Sequence, residues 1–586
     1  MKLFRENVQW RVQDFKSIEK AEISLEEGVI NLLAGMNSSG KSSLLQSLLL
    51  VAQNAKSQGN LLLNGPLVRL GTADEITREG QETIKLSVGF PLAGEKYWAK
   101  YEFQGAPDAE DEIRVKSLTI FRVGDADSPE HHAQPIVELV STPSKTSNKD
   151  IQSIHNHSIF DESVVLRIKQ FEGTEPKDPR AYVEFLGLSP VTLHKFPKPG
   201  ENSKDLRGRL LTLLAGSPDP NADAKGEPRI RDVELLVWMR LSELERSDLK
   251  SYGLDPSTME GFPRRRLGSR PRHIFAQKDL KKISQIVADR TDFEWYVVDL
   301  RADLDRRDRF PIFARHALAD SVWELEHQHT VKFLRRVSEV VAGVSNSVNY
   351  LGPLRDEPRV LWANFSSDLS GLPVGIKGEY TAQLLRESHR KVVHRTFEGK
   401  KVEQTISGAV SYWLDVLNLA TSVKARSRGG LGVSMQVEIG ASERNLTSVG
   451  VGVSQALPVI IAVLTARKGS IVMLEQPELH LHPATQSGLA DFLLKARPDL
   501  TLMVETHSEA LITRIRRRKA ESDLTVDRVR ILFVEKDEGC SKFEELSLTK
   551  WGDLKWWPKG FLDDGSDLRA LMEAKFKMME APDAGA

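Results

Sequence analysis

The chain has 586 residues, 40% of them hydrophobic and 28% charged, the balance of a soluble globular protein longer than one ordinary domain. With 81 Lys and Arg against 82 Asp and Glu there is no global basic field, so any affinity for nucleic acid must come from local patches. A single cysteine, Cys540, excludes a disulfide framework or a cysteine-based zinc site, and with no leader-like N-terminus and no apolar run of about 18 residues the expectation is a cytoplasmic protein with no membrane partner.

In chain order, residues 8–12, 21–25 and 30–33 read as strands. The apolar run 29–34 then enters Gly35-Met36-Asn37-Ser38-Ser39-Gly40-Lys41-Ser42, and a helix-like stretch follows from Ser43 to Val51. Strand, glycine-rich turn and helix are the context of a phosphate-binding loop. The turn's N–H groups and the helix N-terminus gather partial positive charge around the β- and γ-phosphates. Lys41 adds a point charge, and the Ser42 hydroxyl can ligate Mg²⁺. From about 82 to 195, stretches such as 83–88, 97–103, 113–120 and 164–168 alternate with period two, which predicts an antiparallel sheet with one wet face. Segments 143–162 and 216–230 read as loops, and 231–347 turns helical without sustained apolar heptads, so long coiled-coil arms are not expected. Strands return at 348–351, 434–439, 470–474, 500–504 and 529–534, the last three alternating with helical stretches as parallel β–α units do. The expected division is 1–80 (N-terminal ATPase lobe), 81–200 (antiparallel β subdomain), 201–345 (mainly helical insertion), 346–540 (C-terminal ATPase lobe) and 541–586 (tail).

The second half carries acids at strand ends. Residues 470–474 lead into Glu475-Gln476-Pro477-Glu478, the Walker B arrangement, in which a buried strand delivers a carboxylate to Mg²⁺ beside the phosphate loop. The next strand ends Val504-Glu505-Thr506-His507-Ser508, where an imidazole could touch the γ-phosphate or orient the attacking water. Between the phosphate loop and the Walker B stretch, Gly450-Val451-Gly452-Val453-Ser454-Gln455 opens a helix and reads as a second phosphate site, spare within a single subunit.

This set of motifs resembles ABC-type ATPase heads, and within them the RecF and OLD (overcoming lysogenisation defect) branch of DNA repair and anti-phage defence. Asp14-Phe15-Lys16-Ser17, Tyr350-Leu351-Gly352-Pro353-Leu354-Arg355 and Trp557-Pro558-Lys559-Gly560-Phe561 also look like that branch. The resemblance covers roughly 1–80 and 345–565. It implies an α/β fold, an ABC-type P-loop ATPase head with an antiparallel β subdomain and a largely helical insertion, using ATP and Mg²⁺. It implies that Gly35, Asn37, Ser38, Ser39, Gly40, Lys41, Ser42 and Ser43 cradle phosphate, that Ser42 and Glu475 hold the metal, and that His507 meets the γ-phosphate. Ser454 of one copy would reach the nucleotide of another, which implies a homodimer or higher oligomer through the heads.

One position departs from the family pattern. Where such heads carry a glutamate base there is Gln476, whose carboxamide can hold a water but cannot take its proton. Three outcomes stay open: slow turnover with a long-lived ATP-bound pair, Glu478 serving as base, or Glu505 and His507 polarising the water. Slow hydrolysis is the favoured expectation, with Glu478 the fallback base. Relatives of the OLD type carry a nuclease module beyond the histidine strand. Here Glu535 and Asp537 stand alone and too little chain follows, so the expected cutting partner is a separate nuclease or toxin subunit, as in Septu-type defence systems. The rival reading is a RecF-like DNA-repair ATPase that binds DNA directly without an effector.

Several residues invite other readings. His480 and His482 are expected to shape the turn after Walker B, and His327 and His329 to lie on a solvated helix face. The basic run 261–282 reads as a nucleic-acid contact or equally as a solvated loop or docking surface, and 514–519 first as an exposed helix C-terminus, with nucleic-acid contact the lesser alternative. Trp551, Trp556 and Trp557 read as packing residues, and Asp563, Asp564 and Asp567 as a helix start.

Overall fold

The structure, a computed structural model, describes residues 8–55, 57, 60–107, 109–123, 135–141, 150–152, 154, 164–171, 180–195, 296–299, 328–363, 374–388, 392–397 and 400–556. The chain divides into two compact units, one made of residues 1–53, 63–91 and 343–586, the other of 54–62 and 92–342. Segments 216–230, 233–241, 261–282 and the tail from 557 lie outside the described residues, as do His327 and most of the expected helical insertion.

The first unit is built on a mixed sheet. Its parallel half runs Val348–Leu351, Ile471–Glu475, Thr501–Glu505, Ile30–Gly35 and Val529–Asp537, each strand paired in parallel with the next. Cys540–Leu546 turns back antiparallel on Val529–Asp537 and pairs in parallel with Ile18–Ser24. Gln9–Phe15 then pairs antiparallel with both Ile18–Ser24 and Ile84–Leu92. The alternation at 83–88 therefore belongs to this unit, where Ile84–Leu92 pairs with Gln9–Phe15.

The central strands are buried along their whole length, which is why they read as continuous apolar runs. Ile30, Leu32 and Ala34 share one core with Val472, Leu474, Leu502 and Val504 and with the helices Ile406–Val416, Val451–Thr465, Pro483–Lys495 and Glu509–Ala520. Trp413 meets Phe492 edge-on at 5.1 Å within that core. A small three-stranded antiparallel sheet, Ser422–Ser427, Val433–Ile439 and Ser442–Asn445, lies in the same unit.

The helix Glu509–Ala520 uses its basic run internally. Asp491, on the neighbouring helix, accepts from Arg514 Nη1 at 2.8 Å and from Arg518 Nε and Nη2 at 2.6 and 2.8 Å. Arg517 and Arg518 pair with Glu521, Lys519 with Asp527, and Arg516 donates to the Gly552 carbonyl. The run is thus a helix-packing device, and its charge is largely neutralised before any phosphate could meet it. Asp491→Ala should cost about 2 kcal/mol in urea unfolding, because it removes the acid that Arg514 and two nitrogens of Arg518 share, leaving Arg518 only Glu521; a change within error would remove this account of the run.

The second unit is an antiparallel meander of Glu95–Ala106, Ala109–Arg122, Pro135–Ser141, Val164–Phe171, Ala181–Leu186, Ser189–Lys195 and Tyr296–Asp299. Two of its buried polar side chains find partners: Tyr101 Oη donates to the Leu188 carbonyl at 2.9 Å, and His194 Nε2 lies 3.2 Å from Glu184 Oε2. Among the described residues no helix is long and apolar enough to cross a membrane.

Candidate functional site

The phosphate loop takes its shape from two glycines. Gly35 leaves its strand at φ +141°, and a Cβ there would lie 2.2 Å from the Val534 carbonyl oxygen. Gly40 opens the helix at φ +106°, where a Cβ would meet Ser541 Oγ at 2.2 Å. Neither position can accept a side chain without moving backbone or a buried hydroxyl, so the close approach and the positive φ both demand glycine. Ser541 Oγ is also 2.7 Å from Ser17 Oγ, which ties the β-hairpin after Val529 to the turn between the first two strands.

From that turn the helix Lys41–Gln53 begins with its first N–H groups directed at a polar cavity of about 450 Å³. Residues 37–43 line it together with Lys16, Gln46, Gln476, Glu505 and His507. Lys41 Nζ donates to the carbonyls of Gly35 and Met36 at 3.1 and 2.7 Å, and burial lowers its pKa. Ser39 Oγ is buried without a partner, as expected of a hydroxyl whose acceptor arrives with a ligand. Lys16, at φ +52° in the turn between the first two strands, donates to Gln46 Oε1 at 2.8 Å and adds a second cation.

Opposite the loop stand the acids. Ser42 Oγ donates to Glu505 Oε2 at 2.7 Å, and Glu505 sits in register with Glu475 on the adjacent parallel strand. Burial, and then the neighbouring Glu505, push Glu475 up to about 7, while its Oε1 accepts from Tyr350 Oη at 2.9 Å. Glu505 is likewise raised by burial, against the opposing pull of Ser42 and Lys41. His507 is held below its ordinary value by burial and then by Lys41, which favours the neutral imidazole.

These positions fit Mg²⁺ and a triphosphate: a hydroxyl and two carboxylates on one side, backbone N–H groups and two lysines on the other. Ser42 and Glu505 stand nearest the loop, with Glu475 behind them. Bound Mg²⁺ would neutralise charge developing on the phosphate oxygens.

Two expected residues take other posts. Glu478, the fallback base, does not line the cavity; its Oε1 accepts from Thr506 Oγ1 and from the His507 N–H, both at 2.8 Å. Its work is to hold the backbone of the histidine turn. Ser454, expected to face another copy, is buried and donates to the Val451 carbonyl at 2.8 Å. The helix Val451–Thr465 buries that hydroxyl because Ser454 lies one turn inside, while Ser448, Gly450 and the 56% exposed Val451 form the surface at its N-terminus. His482 Nδ1 caps its own helix by accepting from the Ala484 N–H, and Asp537 pairs with Lys542.

Sequence reasoning quoted Lys16, Tyr350 and Arg355 only as marks of resemblance, and none received a role. Tyr350 and Arg355 flank the Walker B turn, one holding the Glu475 side chain and the other the Glu475 and Gln476 carbonyls. The signal for Tyr350 and Arg355 is the strand-like run 348–351, which pairs with 470–474, and the turn that follows it.

The fold and the cavity together define the class only as far as a mixed α/β fold whose glycine turn and helix start open on a polar, phosphate-sized cavity. Residues 261–513 match the model of a family described as "AAA domain, putative AbiEii toxin, Type IV TA system". That stretch is less than half of the chain and holds Ser454, Glu475, Gln476, Glu478 and His507, but not the phosphate loop. No curated protein matches the chain. Similar solved structures include the Smc head domain with an extended coiled coil bound to the C-terminal domain of ScpA, derived from Pyrococcus furiosus, at 12% identity, covering 98% of this chain and 100% of that one with a TM-score of 0.32. The SMC head domain from Thermotoga maritima is 9% identical over 93% of this chain and 100% of its own, with a TM-score of 0.31. The Smc head domain with a coiled coil and joint from Pyrococcus yayanosii is 13% identical over 97% and 100%, with a TM-score of 0.33.

Proposed function

We propose that this chain is an ATP-binding, slowly hydrolysing switch ATPase whose heads pair around ATP and which holds or releases a separate nuclease or toxin subunit in anti-phage defence. The observation that carries the ATPase reading is the convergence of Lys41, Ser42, Glu505, Gln476 and His507 on one polar cavity from strands that lie hundreds of residues apart in the chain. Lys41 leaves the Gly35 and Met36 carbonyls to meet the β- and γ-phosphates, Ser42 and Glu505 hold the metal side, and Gln476 fixes a water it cannot deprotonate. The exposed N-terminus of the helix Val451–Thr465, not the Ser454 hydroxyl, is the surface offered to a second copy's triphosphate.

The defence setting is supported by the toxin-linked description of the matching family and by the resemblance to OLD-type heads. Direct DNA binding through 514–519 is disfavoured by the pairing of that run with its own acids.

Lys41→Ala should weaken binding of a fluorescent ATP analogue by about 10- to 100-fold, the loss of one charge-assisted contact to phosphate. It should also abolish ATP-dependent self-association in light scattering. Unchanged binding would end the ATPase reading. Co-purification of a neighbouring gene's product with the wild-type chain, and its release or activation in step with ATP state, tests the effector half; a chain that acts on DNA ends alone would replace it with the repair reading.

A further inference from the structure

We infer that Arg355 is a positioning residue for Gln476: its guanidinium pins the turn that aims the Gln476 side chain into the phosphate cavity. This rests on the ATPase reading above and adds a residue that meets no nucleotide itself.

Arg355 follows the strand Val348–Leu351, which pairs in parallel with the Walker B strand so that Leu351 faces Leu474 in register. Its side chain is buried and does not line the cavity. Nη2 donates to the Glu475 carbonyl at 2.9 Å, and Nη1 to the carbonyls of Gln476 at 3.0 Å and Pro353 at 2.8 Å. Those bonds matter because Gln476 stands at φ +45°, a left-handed conformation that a residue with a side chain adopts only when its surroundings impose it. From the other side, the Gln476 N–H donates to the Glu505 carbonyl at 2.8 Å. The Walker B turn is therefore gripped at both edges, and the grip sets which way the Gln476 carboxamide points.

The fork of the guanidinium is needed for this geometry. Two nitrogens reach two consecutive carbonyls, which a lysine's single ammonium cannot reproduce. The charge has a second use, since buried Arg355 stands beside Glu478 and Glu475 and balances them without entering the cavity.

The test uses the full-length protein with Arg355→Lys and Arg355→Gln, each alone and combined with Gln476→Ala. Two variants are made so that one folded protein, identified by circular dichroism and melting temperature, suffices. In the parent background, turnover should fall about tenfold, the scale of a sub-ångström misplacement, while affinity for a fluorescent ATP analogue stays within about twofold. In the Gln476→Ala background the same substitution should change turnover little, because the side chain it positions is gone. Hydrogen exchange on the nucleotide-free protein supplies a readout apart from activity: peptides spanning 474–481 should exchange faster in the Arg355 variants, those spanning 30–45 should not. Equal losses in both backgrounds, or unchanged exchange at 474–481, would overturn the inference while leaving the ATPase reading intact. Failure of the parent protein to bind the analogue, with Lys41→Ala no different, would remove both.

Discussion

Gln476→Glu should raise ATP turnover by about a hundredfold, the lower end of what a positioned general base contributes. The side chain already lines the phosphate cavity beside Glu505 and His507, and the substitution changes neither its length nor the turn that carries it. What changes is chemistry: a carboxamide accepts a hydrogen bond from water but returns the proton, whereas a carboxylate keeps it. The competing effect is charge. A new anion near Glu505 and Glu475 raises the cost of holding all three ionised, and it would slow the reaction if Glu505 already served as base. Glu505 is poorly placed for that, because its Oε2 accepts from Ser42 and its charge faces Lys41. The measurement is single-turnover hydrolysis with excess protein, alongside the lifetime of the ATP-bound assembly, which should shorten in parallel. A slower Gln476→Glu protein would move the proton to Glu505 or His507 and reject the missing-base account.

Glu475→Gln should make the nucleotide-free, EDTA-treated protein more stable than wild type at pH 8 and equal to it near pH 4.5. Burial and the neighbouring Glu505 push the folded-state pKa of Glu475 up to about 7, well above an unfolded glutamate. Between those values the folded state binds more protons than the unfolded one, so stability falls as pH rises. The contribution is fully present below the unfolded pKa and is lost as pH climbs through about 7. A gap of two to three pK units corresponds to about 3 kcal/mol, an upper figure for so coupled a cluster. Glu478 and Glu505, also raised by burial, add to the same slope. His507 opposes it, since a lowered histidine pKa favours folding at higher pH. Comparing wild type with Glu475→Gln cancels these other groups to first order. Urea unfolding at pH 5, 6, 7 and 8 reads the difference; parallel curves would show that Glu475 carries no raised pKa. The stability lost at working pH is the cost of holding a buried carboxylate ionised beside a second one.

The phosphate loop was legible because each of its physical requirements is local. An apolar run must bury itself, Gly35 and Gly40 must turn where no Cβ fits, and the helix must start with lysine and serine. The central strands were equally plain, since a strand buried on both faces has no polar phase to confuse it. The edge of the sheet was harder to assign. Ile84–Leu92 alternates like the strands after it, and its pairing with Gln9–Phe15 shows that it joins the first unit.

The functional groups divide along the same line. That Glu475, Gln476 and His507 close two strands could be read from composition and order. Which carboxylate meets Ser42 could not, because the order of strands in the sheet decides it. Thr501–Glu505 lies between the phosphate-loop strand and the Walker B strand, so Glu505 reaches across to Ser42 while Glu475 is left to Tyr350. Spacing alone also leaves open which hydroxyls of a helix start are exposed: Ser454 is buried and donates to the Val451 carbonyl, while Ser448 is exposed. The basic run 514–519 shows the limit of charge alone, since Asp491 lies on another helix and cancels it only after packing. By itself the amino-acid order determined the glycine turn and its helix, the strand ends that bear acids and the glutamine that stands between two of those acids. Tertiary structure alone decided which acid, which arginine and which face of a helix meet the site, because those are contacts between residues that only folding brings within a few ångströms.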